Sequence, residues 1–178
     1  MSDMWVDPQD DPREEEGPTR GERDTLLAYL DHYRKTLVMK CDGLTPAQLA
    51  TRSVPPSTLS LLGLVRHLAA VEQSWFRRVM RHDLALPRLY NKLEDRDADF
   101  DGVEPTQACV DEAFAALRRE VAYAEEYVAG QDDLAVLGDV DGDDIELRDV
   151  IVHMIEEYAR HCGHADLLRE CVDGRTGQ

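Results

Sequence analysis

The sequence predicts an all-α fold, a four-helix bundle with one long crossover connection, and three observations carry that expectation. Four segments of about twenty residues repeat apolar side chains at three- and four-residue steps. No stretch sustains the alternation of a strand, and no hairpin is expected. A connection over 82–105, with Pro87, Pro105 and an acidic run from Glu94 to Asp101, is long enough to cross between helix pairs and offers at most short helical turns. At 178 residues the chain has the length of one domain with a core of its own.

Taken in order, residues 1–20 hold Pro8, Pro12, Pro18 and the run Glu14, Glu15, Glu16, the composition of a flexible, acidic N-terminal tail ahead of a helical domain over 21–178. Trp5 is the exception and is expected to dock onto the bundle. The first helix runs from about Glu22 to Cys41, with Leu26, Leu27, Leu30, Tyr33, Leu37 and Val38 inward and Asp42-Gly43 at its end. The second starts near Ser57, capped by Ser57 or Thr58, and continues through Leu61, Leu64, Leu68, Val71, Trp75 and Val79. The third spans about Thr106 to Ala129 with Val110, Phe114, Leu117, Val121 and Ala124 buried, and the fourth about Glu146 to Val172. Asp139, Asp141, Asp143 and Asp144 read as a solvated loop, because Gly142 is misplaced for a calcium loop and no glutamate closes one.

Charge and cysteine usage exclude several classes. A net charge of -17 repels phosphates and anionic lipid, which argues against nucleic acid as a partner. No apolar run is long enough to span a bilayer and no secretion pattern opens the chain, so a cytoplasmic protein is expected. Cys41, Cys109, Cys162 and Cys171 lack CxxC spacing and are expected as reduced thiols, with Cys109 and Cys171 small buried or half-buried residues.

The chemistry concentrates on the fourth helix. His153, Glu157, His161 and His164 follow one another at four, four and three residues, so they share one stripe. Imidazoles and a carboxylate facing a core would be costly unless compensated, and a metal ion compensates them directly. His67, within the apolar run Leu64 to Leu68, points toward the same core. Ligands at i and i+4 joined by one from a facing helix are a common way for bundles to build a metal site. The spacing also fits hydrogen-bonded core imidazoles and an i,i+4 charge pair, and by itself leaves both readings open. Glu72, five residues after His67, is expected as a surface or rim charge.

These residues resemble a known family. Leu64-Val65-Arg66-His67-Leu68 with Val71-Glu72 and Trp75-Phe76, then His153 to His161, then Gly163-His164-Ala165-Asp166, are similar to the DinB superfamily, in an uncharacterised, largely actinobacterial branch, from about Glu22 to the C-terminus. The resemblance implies a bundle holding a divalent metal through three side chains. In the variant that uses two histidines and a glutamate, that of mycothiol-dependent maleylpyruvate isomerases, the matching positions are His67, Glu157 and His161. His153 and His164 become ligand-orienting or proton-transferring residues, and Cys162 is expected to face away from the metal. Arg160 and Arg169 become candidates for contacting a polar cofactor, with ion pairing to a nearby acid as the commoner fate.

What the resemblance implies is a metal-dependent transferase or isomerase using a low-molecular-weight thiol, mycothiol, with an electrophilic substrate. Zinc is the expected metal, with nickel, iron and manganese compatible with the same ligands. A metal-dependent hydrolase and a non-catalytic metal-binding stress protein are the alternatives, and family relatives suggest a homodimer.

Overall fold

The computed structural model describes residues 5–7, 10–13, 19–91 and 95–177. Its elements are α1 (Gly21–Cys41), α2 (Pro46–Leu49), α3 (Leu61–Glu72), which runs on as a π-helix (Gln73–Met80), a 3-10 turn (Leu89–Asn91), α4 (Ala98–Asp101), α5 (Gln107–Ala129), β1 (Leu137–Val140), β2 (Asp143–Glu146) and α6 (Leu147–Asp173). The four long helices make the expected bundle, with α1 along α6, α3 along α5, and α3 also meeting α6. Among the described residues no helix is long and apolar enough to cross a membrane.

The helix ends follow local chemistry, with corrections. Ser60, rather than Ser57 or Thr58, caps α3, its hydroxyl accepting from the Gly63 amide, and Thr106 caps α5 in the same way at Cys109. The short α2, an element not expected from the sequence, has a full capping box from Thr45 and Gln48. The supposed loop between α5 and α6 is an antiparallel hairpin: Asp141 and Gly142 take φ of 54° and 99°, the left-handed pair a two-residue turn needs between β1 and β2.

The core faces are close to those expected. Leu30 and Leu37 of α1 are buried, but Val38 faces solvent. On α5 the buried stripe includes Ala113, Ala116, Leu117 and Ala124, while Val110, Phe114 and Val121 pack at its edge. The alanines leave room for α3 to come close. Cys171 is exposed rather than buried, whereas Cys109 is half-buried as expected.

Trp5 does dock. Its ring lies between Lys40 and Arg175, each cation 3.9 Å from the ring centre, and its carbonyl accepts from Arg175. Asp11 is buried against Arg13, and Arg13 reaches Thr36 of α1. The Glu14–Glu16 run of the expected tail lies outside the described residues, as does Glu94.

One short element matters for the site. Within the 82–105 connection, α4 packs on α3 because two glycines allow it: a Cβ on Gly63 would lie 2.8 Å from the Phe100 ring, and one on Gly102 would lie 2.9 Å from Arg66. Arg66 secures the contact by donating to the carbonyls of Asp99 and Ala98. Asp99 is thereby carried into the interior beside His67.

Candidate functional site

His67 on α3 and Glu157 and His161 on α6 converge. One ligand atom from each falls within 4.8 Å of the other two, the only such group of three or more His, Cys, Asp or Glu among the described residues. Glu157 Oε2 lies 3.7 Å from His67 Nε2 and 3.4 Å from His161 Nε2. Donors about 2.0 to 2.2 Å from a tetrahedral ion stand roughly 3.4 Å apart, so the arrangement fits a divalent cation with little movement. Two imidazoles and one carboxylate on such an ion leave a coordination position open to a ligand from outside.

The orientation of these side chains is fixed by neighbours. His67 Nδ1 lies 2.8 Å from the fully buried Asp99, so with a proton on Nδ1 donated to that carboxylate, the lone pair of Nε2 faces Glu157. Phe100 stacks on the His67 ring at 5.2 Å. His161 Nδ1 meets His164 Nδ1 at 3.3 Å, which leaves His161 Nε2 turned to the cluster. His153 Nε2 lies 3.8 Å from the other Glu157 oxygen, and its ring packs against Trp75 at 4.7 Å.

Burial and the nearby imidazole of His67 bring the His161 pKa down to about 4, against an opposing pull from Glu157. The ring is therefore neutral at pH 7, as a ligand must be. A histidine whose folded pKa lies below 6.5 leaves the unfolded chain with more bound protons between the two values, so stability falls as pH drops through that window. Metal-free protein is expected to lose about 2 kcal/mol from this group between pH 6.5 and 4. Urea denaturation across that range should show a steeper pH dependence for the wild type than for His161→Gln.

The cluster lines a cleft of about 530 Å³. The π-helix forms part of its wall, contributing Gln73, Ser74, Trp75 and Arg78. The wider π turn shifts the side-chain phase past Glu72, a device that recurs at functional sites.

The other singled-out residues divide. Arg160 is exposed and lines the cleft. Arg169 is not brought there: it is buried, pairs with Asp173, and donates to the carbonyls of Lys40 and Asp42 at the end of α1. Cys162 does not line the cleft and faces α1, its Sγ 3.5 Å from the Tyr33 carbonyl, and burial pushes its thiol up to about 12. Glu72 is not a rim charge. It is fully buried, receives two hydrogen bonds from Arg34 at 2.8 Å each, and accepts a third from the Tyr158 hydroxyl at 2.9 Å. That cluster ties α1, α3 and α6 together one residue from Glu157.

Asp99 is the site residue that sequence reasoning missed. The only available signal was the spacing of Ala98 and Phe100 within the acidic run, an apolar pair that hints at a packed turn.

A family model described as mycothiol-S-transferase matches residues 25–174. The match covers all four long helices apart from the first residues of α1, and it agrees with the DinB-like resemblance read from the motifs. No curated protein matches the chain.

Proposed function

The chain belongs to the mycothiol-S-transferase family, and from that premise we propose that it is a divalent-metal-dependent transferase joining the sulfur of mycothiol to an electrophilic carbon. The observation that carries this reading is the convergence of His67, Glu157 and His161 on the wall of a cleft. In it those three side chains hold the ion, zinc by preference, and the thiol and electrophile meet in the space beside Trp75.

When bound there, a divalent ion lowers the pKa of a coordinated thiol and so supplies thiolate at neutral pH. The protein does the rest. Asp99 keeps His67 in the tautomer whose Nε2 faces the cleft, and His164 does the same for His161. His153, next to Glu157 and on the cleft wall, accepts the thiol proton. A carbon–sulfur bond forms, and the leaving group departs with its bonding electron pair. With an activated alkene instead, no group leaves: the π pair of the double bond moves to the neighbouring carbon, which takes the proton back from His153.

The sulfur must come from outside. No cysteine lines the cleft, and Cys41 and Cys162 are both held as thiols with pKa values of about 12 by burial. The reading includes a cytoplasmic location, where reduced thiols persist, and a homodimer, for which light scattering would report twice the 20.2 kDa chain mass.

The direct test is conjugation of mycothiol to a chromogenic electrophile by zinc-loaded protein. Turnover should need both thiol and metal, and should fall at least about 100-fold in His161→Ala. Turnover of ester or amide substrates without thiol would instead identify a hydrolase. Stoichiometric metal with no turnover of either kind would leave a non-catalytic metal-binding protein.

A further inference from the structure

The cleft inverts the charge of the protein around it. Over the whole sequence 37 acidic side chains oppose 20 basic ones. The cleft lining has three arginines, Arg78, Arg88 and Arg160, against the single carboxylate Glu157. An anion is repelled by most of this surface and attracted here.

The arginines are not equivalent. Arg78, on the π-helix, donates Nη1 to the carbonyls of Leu84 and Leu86, at 3.3 and 2.6 Å. Gln73 Oε1, from the same π-helix, accepts from the Leu89 amide at 3.0 Å. The backbone on both sides of Arg88 is thus fastened to the π-helix, which sets where that exposed side chain emerges. Arg160 enters from α6, between Glu157 three residues before it and His164 four residues after, on one helix face. Neither Arg88 nor Arg160 has an ion-pair partner among the described residues, so both charges are available to a ligand in the cleft.

We infer that the electrophilic substrate carries an oxyanion, a carboxylate or phosphoryl group, held by the guanidinium groups of Arg88 and Arg160, with its reactive carbon toward His67, Glu157 and His161. Planar guanidinium groups suit both oxyanions, because each offers paired donors to two oxygens. Arg78 is a positioning residue, acting through the segment that carries Arg88. The inference rests on the transfer reading above and assigns its substrate class.

Two independent measurements test it. First, metal-free wild type, Arg88→Gln, Arg160→Gln and the double variant are titrated by calorimetry at low salt with succinate and with inorganic phosphate. The wild type should bind at least one of them, the double variant at least tenfold more weakly, and Arg88→Lys with Arg160→Lys should recover part of the loss. The anion that binds more tightly identifies the source of the oxyanion. Second, zinc-loaded protein of equal metal content conjugates a thiol to 4-chloro-3-nitrobenzoate, its methyl ester and the corresponding phosphonate. The sulfur replaces chlorine on the ring, chloride leaves with the electron pair, and the thiol proton passes to solvent through His153. The ratio of kcat/KM for charged over ester substrate should exceed ten in the wild type and fall at least tenfold in the double variant, through KM.

Binding of neither anion by the wild type, equal binding by the double variant, or a charged-to-ester ratio unmoved by the substitutions would overturn the inference. Absence of turnover with all three electrophiles would contradict the transfer reading, while calorimetry would still decide the anion site.

Discussion

Glu72→Ala is expected to lower folding stability by about 3 to 5 kcal/mol, enough to unfold a marginally stable domain near physiological temperature. The substitution leaves the Arg34 guanidinium charged and buried, with only the exposed Glu125 at 3.8 Å to answer it, and it strips the Tyr158 hydroxyl of its acceptor. Removing one partner of a buried pair costs more than the pair contributes, because the desolvation of the survivor is no longer offset. The double change Arg34→Met with Glu72→Leu should therefore recover most of the loss. Urea denaturation of the single and double variants checks this, and a single variant within 1 kcal/mol of wild type would contradict it. Because Tyr158 adjoins Glu157, the destabilised variant should also hold metal less tightly than its folded fraction predicts.

Asp99→Ala is expected to weaken metal binding by about 10- to 100-fold with little change in fold, and Asp99→Asn by less. The carboxylate fixes the His67 ring with its Nε2 toward the cluster, and an asparagine keeps the acceptor without the charge. Competition with a chromophoric chelator gives the affinity. Equal affinity in the wild type and Asp99→Ala would show that Phe100 stacking and backbone packing alone orient His67.

The contrast between these residues shows what the sequence could reveal. His67, Glu157 and His161 were legible because helical periodicity converts spacing into direction: three of the four stripe residues sit at i,i+4 steps, and His67 lies in an apolar run. Asp99 was hidden because it lies among Asp95, Asp97 and Asp101, and only the approach of α4 to Gly63 separates it from those neighbours. Glu72 was misread for a related reason. Five residues after His67 it points to another side of the helix, and there it meets Arg34 of α1 and Tyr158 of α6, partners that no local pattern reveals. The π-helix left no local signature either, and it brings Gln73 and Arg78 to bear on the 84–89 segment. The β1–β2 hairpin is a different failure. Asp141-Gly142 is a strong two-residue turn signal, but the surrounding aspartates equally suit a solvated loop and so mask it.

The reading depends above all on three side chains from α3 and α6 sharing one cation, and elemental analysis tests that most directly. Protein dialysed against zinc and then against metal-free buffer should keep one equivalent per chain, while His161→Ala, folded by circular dichroism, should keep less than about a tenth. A wild type that returns without zinc, or a variant that retains a full equivalent, would contradict it.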